Sequence, residues 1–438
     1  MNLKINPITN SLNGEITAPG SKSYSHRTFV AASLAEGISI IKNPLISGDV
    51  AITIKVLESL GVRILRKNGN AYIIKRDKDT YKPVNKFINC GNSGTTLRIF
   101  SALSLIIEGG LKFKGDFLRL KRPILPLLNS LKQLGAEIKL SKKKLKIKRT
   151  SEICNKVMIQ GDVSSQFLTA LLILCPLLKC KNKDYIEIEL TSQLVSKPFI
   201  EITLEVLDIF GINIQADFET GKFYITKEQN YRSQSYAIPG DFSSAANIIA
   251  VAILSKKPSS VIINNLSFKN KQGDKQIVEI LEKMGAKIKI NEESHQVIIG
   301  GELNENKLKG IEVDCSDIPD LFPILSVIGA FAEGKTTLYN ASNLRLKETD
   351  RIKSMATQLK KMGVTVIEEA DKLTIFHCEK LNGTTINHNN DHRIAMACTV
   401  AALHADSDSY LKKSEIVEDS YPSFFKDLKE LGAKIESA

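Results

Sequence analysis

Residues 57–64 read Leu57-Glu58-Ser59-Leu60-Gly61-Val62-Arg63-Ile64, and the pattern Leu-x-x-apolar-Gly-small or branched-x-Ile or Val occurs six times along the chain. A glycine directly after an apolar helix end favours the left-handed conformation that stops a helix, and a strand follows it. Each copy therefore predicts a helix followed at once by a β-strand. The other five copies, spaced by roughly 70 to 78 residues, are residues 131–138, 207–214, 281–288, 359–366 and 428–435.

A second kind of helix shares this period. Its six copies consist mainly of small and apolar residues, and Gly, Asn, Asp or Ser precedes each of them. A helix that is apolar on every face must be buried. Six buried helices, six amphipathic ones and short strands predict an α/β unit repeated six times, with the buried helices inside and the sheets outside. The predicted buried helices are residues 23–35, 94–107, 164–178, 243–254, 318–332 and 391–403.

Two Pro-Gly pairs indicate how the six units divide. Pro19-Gly20 and Pro239-Gly240 each stand directly before a buried helix. We interpret them as paired crossings between two domains of three units each. One predicted domain is residues 21–239, and the other is residues 1–20 together with 240–438. We expect the ligand in the cleft between them.

Composition favours a globular enzyme: the 438 residues are 43% hydrophobic and 25% charged. No basic and apolar export signal opens the chain, and no apolar run of about 18 residues occurs, so we expect a cytoplasmic protein without a membrane span. The seven cysteines include no Cys-x-x-Cys pair, which favours reduced thiols over disulfides or zinc.

The net charge of +12 suits either nucleic acid or an acidic small molecule as the partner. The densest basic run, residues 142–149, alternates cationic and apolar residues and contains no aromatic residue for base stacking. This alternation favours a solvated edge strand. No nucleic-acid motif is recognisable, so the small molecule is the preferred partner.

Polar residues gather at the starts of the buried helices. The first start reads Pro19-Gly20-Ser21-Lys22-Ser23-Tyr24-Ser25-His26-Arg27 and brings two cations and several hydroxyls to the positive end of a helix dipole. Such a start suits a phosphate or a carboxylate. Lys22 and Ser23 begin the helix, and Arg27 lies one turn on, on the side of Ser23. Ordinary capping is the alternative.

The next starts offer further donors. The turn Gly91-Asn92-Ser93-Gly94 presents bare amides that suit an anion, although the glycines could simply turn the chain. Arg122 could add a cation or be an exposed arginine. Residues 164–166, Ser-Ser-Gln, could bind a phosphate or a sugar-like hydroxyl, with N-capping as the alternative. At the fourth start, residues 240–244, a structural cap is favoured because no cation is present.

The last two starts carry acids among cations. Asp320 follows a proline at the head of an apolar helix and could act as a base or as a cap. Lys347 and Arg351 are four residues apart, so both should project on one side of a helix with Glu348 alongside; a surface ion-pair helix is the alternative. Arg393 follows at the sixth start, where a lone surface arginine is not expected.

These residues suit a substrate with two anionic groups, proton transfer and electrostatic stabilisation. His388 and His392 have a spacing that metal sites use, but no third ligand clusters with them in the sequence. We therefore expect neither a metal nor a cofactor.

Eight motifs occur in a fixed order over essentially the whole chain: Pro-Gly-Ser-Lys-Ser-x-x-x-Arg, Gly-Asn-Ser-Gly-Thr, Arg-Pro, Ser-Ser-Gln-Phe-Leu, Ser-Lys-Pro, Ile-Pro-Asp, Lys-Glu-Thr-Asp-Arg and Asp-His-Arg-x-Ala-Met. In this order they resemble the 5-enolpyruvylshikimate-3-phosphate synthase (3-phosphoshikimate 1-carboxyvinyltransferase) family. The resemblance implies an α/β fold of two domains, each with three βαβαββ-type units, known as the enolpyruvyl transferase fold. It also implies transfer of the enolpyruvyl group of phosphoenolpyruvate to the 5-hydroxyl of 3-phosphoshikimate, with release of phosphate, in the shikimate pathway to chorismate and aromatic amino acids.

The resemblance also implies roles for individual residues. Asp320 would take the proton of the 5-hydroxyl, Glu348 would protonate the methylene carbon and later help to remove a proton, and Lys22 would contact both substrates. The implied 3-phosphoshikimate site is Lys22, Ser23, Arg27, Ser164, Ser165, Gln166, Ser196, Asp320, Asn343 and Lys347. The implied phosphoenolpyruvate site is Lys22, Asn92, Gly94, Arg122, Gln166, Arg351 and Arg393. The implied enzyme acts as a monomer on small molecules, without a nucleic acid or a membrane.

The sequence departs from the family pattern at two positions. Phe199 stands where several members have tyrosine, and Asp419 stands where some have a lysine that contacts phosphoenolpyruvate. Lys412 or Lys413 could replace that lysine.

Three other functions fit the sequence less well. A sister enzyme uses a UDP-amino sugar as acceptor, but it lacks the Lys-Glu-Thr-Asp-Arg and Ser-Ser-Gln motifs. A binding protein for anions or nucleic acid would not need acids placed among its cations. A scaffold of six repeats without activity would need neither the acids nor the cations.

Overall fold

A computed structural model describes residues 1–67, 69–77, 81, 87–115, 118, 122–152, 154, 156–182, 184–300 and 307–438. The chain forms two compact units. Unit 1 comprises Met1–Pro19 and Pro239–Ala438, and unit 2 comprises Gly20–Ile238. Each unit has its own hydrophobic core.

The described residues form twelve α-helices, and none of these helices is long and apolar enough to cross a membrane. They are α1 Lys22–Leu34, α2 Gly48–Ser59, α3 Gly94–Leu103, α4 Leu125–Gln133, α5 Ser165–Leu174, α6 Lys197–Ile209, α7 Phe242–Ile253, α8 Gln276–Lys283, α9 Phe322–Phe331, α10 Arg351–Lys361, α11 His392–Leu403 and α12 Phe424–Glu430.

The same part of the chain forms twenty-four short strands. They are β1 Leu3–Ile5, β2 Asn13–Thr17, β3 Gly37–Lys42, β4 Arg63–Lys67, β5 Ala71–Arg76, β6 Ile88–Asn89, β7 Leu111–Lys114, β8 Ala136–Leu140, β9 Lys144–Arg149, β10 Val157–Ile159, β11 Tyr185–Leu190, β12 Ile214–Asp217, β13 Lys222–Thr226, β14 Ser235–Ala237, β15 Ser260–Asn264, β16 Ile288–Asn291, β17 Gln296–Gly300, β18 Glu312–Asp314, β19 Lys335–Tyr339, β20 Val366–Glu368, β21 Leu373–Phe376, β22 Thr385–Ile386, β23 Ser409–Leu411 and β24 Ile435–Ser437.

These strands make six four-stranded sheets among the described residues, three in each unit, and all six share one topology. In the sheet β10-β11-β13-β12, the edge strand β10 is parallel to β11, and β11 and β12 are antiparallel to β13. With α5 between β10 and β11 and α6 between β11 and β12, this repeat is a βαβαββ unit. The predicted α/β fold with a six-fold repeat is confirmed.

Three sheets use strands from distant parts of the chain. In unit 1, β2 pairs in parallel with β15, and β1 lies between β23 and β24. In unit 2, β14 pairs in parallel with β3. The N-terminal 19 residues thus complete two repeats of unit 1, which makes that unit discontinuous in sequence.

Glycines hold the special positions that the repeats require. The six pattern glycines all have φ between 81° and 110°, so each helix stops as predicted. The two Pro-Gly pairs sit in matching surroundings: a Cβ on Gly20 would lie 2.0 Å from the Asn43 carbonyl oxygen, and one on Gly240 would lie 2.2 Å from the Asn265 carbonyl oxygen. Only glycine permits so close an approach.

The predicted apolar helices are the buried ones. Every residue of α7, α9 and α11 is buried, as is nearly every residue of α1, α3 and α5. Helix α9 begins at Phe322 rather than at the predicted residue 318, because residues 318–321 form a turn closed by the Leu321 amide on the Ile318 carbonyl. Pro323 then falls in the first turn, where its missing N–H is not needed.

Two expectations from the sequence are wrong. The basic run does not form an edge strand, because β9 lies between β7 and β8 in its sheet. Alternating residues report one solvated face and say nothing about the position of a strand within its sheet. The cysteines are not all reduced, because Cys154 and Cys180 form a disulfide. Their 26-residue separation gives no local signal, and the fold brings their Cα atoms to 5.4 Å.

Candidate active site

Arg27 is a buried cation of unit 2. Only 4% of it is exposed, and its Nε donates to Thr203 Oγ1 over 2.8 Å. Its other nitrogens donate to the Ser23 carbonyl, Thr169 Oγ1 and the Phe199 carbonyl at 2.9 to 3.2 Å. Burial lowers the pKa of Arg27 to about 10, against the opposing effect of Tyr24. Its surroundings are hydroxyls and carbonyls rather than carboxylates, so the positive charge is not neutralised by these contacts.

Lys22 and Ser23 are the first two residues of α1 and are both half-buried. Ser21, at the cap position, makes no side-chain hydrogen bond to the first turn. Ser21 therefore does not cap α1 with its side chain, which was the alternative to an anion site. The first-turn amides, one ammonium group and one hydroxyl stand together at this helix start, as an anion site needs.

Arg98 organises the starts of α3 and α5, although the sequence reasoning assigned it no role. Its Nη1 donates to Gln166 Oε1 over 2.6 Å and to Ser164 Oγ over 3.3 Å. Gln166 in turn donates to Thr95 Oγ1 over 3.0 Å. Arg98 is 4% exposed and is the one charged residue of helix α3. A cation in an otherwise uncharged, buried helix is the signal that the sequence offers.

Other predicted residues of unit 2 lie at or near helix starts. Arg122 Nη1 donates to the carbonyl of Asn92 at 2.9 Å and to its Oδ1 at 3.3 Å, and Gly94 is the first residue of α3. Ser165 begins α5 and is buried. Ser196 is the buried cap residue of α6, with a left-handed φ of 59°. Capping also occurs here, since Ser164 Oγ accepts the Gln166 amide at 3.4 Å.

In unit 1, Arg351 joins three carboxylates. It is 2% exposed and begins α10. Its Nε contacts Asp391 at 2.8 Å, its Nη1 contacts Asp320 at 2.7 Å, and its Nη2 contacts Glu348 at 3.1 Å. Burial alone would lower the pKa of Arg351, but Asp391, Glu348 and Asp320 raise it above its ordinary value. The guanidinium therefore stays charged and fixes all three acids.

Asp320 is shared between two arginines. Its second oxygen contacts Arg393 Nη2 at 2.7 Å. Asp391, fully buried, accepts the backbone amide of Arg393 at 2.9 Å, so it caps α11 as well as holding the Arg351 side chain. Asp320 is 17% and Glu348 21% exposed, whereas the two arginines are at most 4% exposed. The two acids assigned to proton transfer are thus the accessible members of a buried ion-pair network.

A sixth titratable group, Asp274, lies beside this network. It is 3% exposed, and Ser243 Oγ donates to its Oδ2. Burial raises the pKa of Asp274 to about 7, with Asp320 and Asp241 adding to the rise and Arg393 and Ser243 opposing it. The sequence offered no sign of this residue, because it lies in a short turn before an amphipathic helix.

One geometric prediction in this region is wrong. Lys347 does not share a helical face with Arg351, because a 3-10 helix over Ser342–Leu346 ends before it and α10 begins only at Arg351. It is Glu348, three residues before Arg351, that pairs with it. Asn343 is buried within the 3-10 helix, and Lys347 is half-buried beyond its end.

The remaining predictions near the C-terminus stay open. Asp419 ends a 3-10 helix over Ser414–Asp419 and is half-buried, while Lys412 and Lys413 are exposed.

The described residues contain no group of three or more His, Cys, Asp or Glu side chains that could hold a metal ion.

The comparisons with known proteins agree on one family. The model of EPSP synthase (3-phosphoshikimate 1-carboxyvinyltransferase) matches residues 7–428. The chain belongs to this family. The 3-phosphoshikimate 1-carboxyvinyltransferase of Methanocaldococcus jannaschii is 43% identical over 442 residues, which is 100% of both chains. That of Methanococcus vannielii is 41% identical over 98% of each.

Two solved structures share the fold. EPSP synthase from Acinetobacter baumannii aligns with a TM-score of 0.81 and 25% identity, over 99% of each chain. The enolpyruvyl transferase NikO from Streptomyces tendae aligns with a TM-score of 0.78 over 99% of this chain and 98% of its own, at 16% identity. The latter likeness concerns the fold alone.

Proposed function

We propose that this EPSP synthase family member transfers the enolpyruvyl group of phosphoenolpyruvate to the 5-hydroxyl of 3-phosphoshikimate and releases phosphate. The reaction belongs to the shikimate pathway, which leads to chorismate and the aromatic amino acids. The observation that carries the proposal is the network in which Arg351 and Arg393 hold Asp320 and Glu348. A binding protein for polyanions has no use for carboxylates that are held among its buried cations.

The groups of unit 2 would bind the acceptor and part of phosphoenolpyruvate. Lys22, Ser23 and the hydroxyls at the start of α5 suit a phosphate and sugar-like hydroxyls. Arg27 keeps a net positive charge because hydroxyls and carbonyls surround it. Arg98 acts through Gln166 and Ser164, whose orientations it fixes.

The groups of unit 1 would carry the proton transfers. Arg351 and Arg393 bind the phosphoenolpyruvate carboxylate, which competes with Asp320 for the two guanidinium groups. Once released from these contacts, Asp320 accepts the proton of the 5-hydroxyl as the hydroxyl oxygen attacks C2. Glu348 donates a proton to C3, which gives a tetrahedral intermediate. The Glu348 carboxylate then takes a proton back from C3, phosphate leaves with the proton that Asp320 had accepted, and the double bond between C2 and C3 is restored.

The experiment is phosphate release by purified protein given both substrates, with each substrate alone as a control and EDTA present throughout. Release only with both substrates is the expected result. Folded protein without release would contradict the proposal, and UDP-N-acetylglucosamine would then be the next acceptor to try.

We further propose that the enzyme is a cytoplasmic monomer. Gel filtration of the active protein should give the mass of one 48.4 kDa chain. Elution at twice that mass would contradict the monomer.

A further inference from the structure

A chain of buried side-chain hydrogen bonds crosses unit 2 from α1 to α3. It begins at His26 on α1, passes through Thr53 on α2 and Thr96 on α3, and ends at Ser93, the cap residue of α3. The three steps, His26 Nδ1 to Thr53 Oγ1, Thr53 Oγ1 to Thr96 Oγ1 and Thr96 Oγ1 to Ser93 Oγ, measure 2.8, 2.8 and 2.7 Å. None of the four residues is more than 2% exposed.

Both ends of this chain lie beside predicted substrate groups. His26 is four residues after Lys22, so the two occupy one face of α1. Ser93 stands between Asn92 and Gly94, and its Oγ also accepts the Thr96 amide at 3.3 Å. The chain therefore joins the helix start assigned to the phosphorylated acceptor to the helix start assigned to phosphoenolpyruvate.

The imidazole in this chain is neutral. Burial lowers the pKa of His26 well below its ordinary value, and the positive charges of Lys22 and Arg27 lower it further. The other ring nitrogen, Nε2, is buried and has no hydrogen-bond partner among the described residues. An unpaired buried N–H is rarer than an unpaired acceptor, so the proton belongs on Nδ1 and His26 donates to Thr53. The hydroxyl of Thr53 is then directed to Thr96.

We propose that Thr53 is a positioning residue for the transferase reaction: its hydroxyl fixes the first turn of α3, with Asn92 and Gly94, relative to Lys22 on α1. This inference rests on the proposed function, because it takes Asn92, Gly94 and Lys22 as substrate groups. Thr53 itself touches no substrate in this account. It acts by accepting from His26 and donating to Thr96, and valine keeps its shape without either bond.

The test compares Thr53→Val with Thr53→Ser, which keeps the hydroxyl, and with Thr399→Val. Thr399 is a matched control because it is fully buried in α11 and its hydroxyl donates, among the described residues, only to the Ala395 carbonyl of its own helix, at 2.8 Å. Thr53→Val should raise the KM for phosphoenolpyruvate about fivefold, because it loses both bonds that tie the start of α3 to α1, and leave the KM for 3-phosphoshikimate within about twofold. Thr53→Ser and Thr399→Val should leave both values near wild type.

Hydrogen exchange gives a readout that does not depend on turnover. The amides of the first turn of α3, residues 95–97, should exchange faster in Thr53→Val than in Thr53→Ser. Equal exchange in these two variants, or a KM change no larger than that of Thr399→Val, would overturn the inference. If Thr53→Val does not fold, Thr96→Val and Thr96→Ser make the same comparison.

The two proposals fail in different ways. Wild-type protein that releases no phosphate would refute the transferase function. Amide exchange at residues 95–97 in Thr53→Val and Thr53→Ser would still test whether Thr53 holds the start of α3. Wild-type turnover together with unchanged exchange would refute only the role of Thr53.

Discussion

The two units use the same repeat to build different electrostatic surroundings at their helix starts. In unit 2, Arg27 and Arg98 donate to hydroxyl, amide and carbonyl oxygens. In unit 1, Arg351 and Arg393 are paired with carboxylates. The neutral partners of Arg27 leave its charge available to an anionic ligand, whereas carboxylate partners fix both the cation and the acid. Under the proposed function, this difference corresponds to a unit 2 that binds substrate and a unit 1 that also supplies groups for proton transfer.

The largest expected effect is on turnover when an acid of unit 1 is neutralised. Glu348→Gln should lower kcat by about 10²- to 10⁴-fold, because the amide cannot protonate the methylene carbon. Steady-state phosphate release measures it. Glu368→Gln is the matched control, since Glu368 also pairs with an arginine, Arg345 at 3.1 Å, outside the ion-pair network of Arg351. Similar activity in both variants would place the chemistry elsewhere.

The next largest effect is on the free energy of unfolding, which should fall more when Arg351 loses a carboxylate partner than when Arg27 loses a hydroxyl partner. Asp391→Ala removes a fully buried partner of Arg351 together with the cap of α11, and it should lower the free energy of unfolding by about 3–5 kcal/mol. Thr203→Val removes a neutral partner of Arg27 and should cost about 1–3 kcal/mol. Urea denaturation of both variants measures the difference. Equal losses would mean that the carboxylates of unit 1 are no more tightly coupled than the hydroxyls of unit 2.

A smaller effect concerns pH. Asp274 has a pKa of about 7 in the folded protein and an ordinary low pKa when unfolded, so the folded state holds its proton more tightly. Its contribution therefore favours folding at low pH and is lost as pH rises from about 4 to about 7. Asp274→Asn should gain stability relative to wild type over that window, by on the order of 4 kcal/mol. Urea denaturation at several pH values checks this, and a difference independent of pH would contradict it.

Much of this organisation could be predicted from the sequence. The pattern glycines fix the helix stops because only a left-handed residue ends a helix so abruptly, and the all-apolar helices have to be buried. Pairing across long separations could not be predicted, because no local signal places β1 between β23 and β24 or joins Cys154 to Cys180.

In the candidate site, too, the sequence predicts individual residues but not the contacts between them. Motif residues such as Arg351 and Asp320 were identified from their types and neighbours, but their partners were not. Lys347 was placed on a helical face that does not exist, because the spacing rule assumed a helix that begins four residues later. Arg98 and Asp274 were missed, since a single polar residue shows its role only when the fold brings its partners to it.

The central claim is that unit 2 binds the acceptor and unit 1 transfers protons. Calorimetry tests it most directly, by measuring how tightly 3-phosphoshikimate binds to wild type, Glu348→Gln and Lys22→Met without phosphoenolpyruvate. The account predicts that Glu348→Gln binds within about threefold of wild type although it turns over poorly. Lys22→Met should bind at least about tenfold more weakly, because it loses a charged hydrogen bond to the phosphate. Equal weakening in both variants, or normal binding by Lys22→Met, would contradict the account.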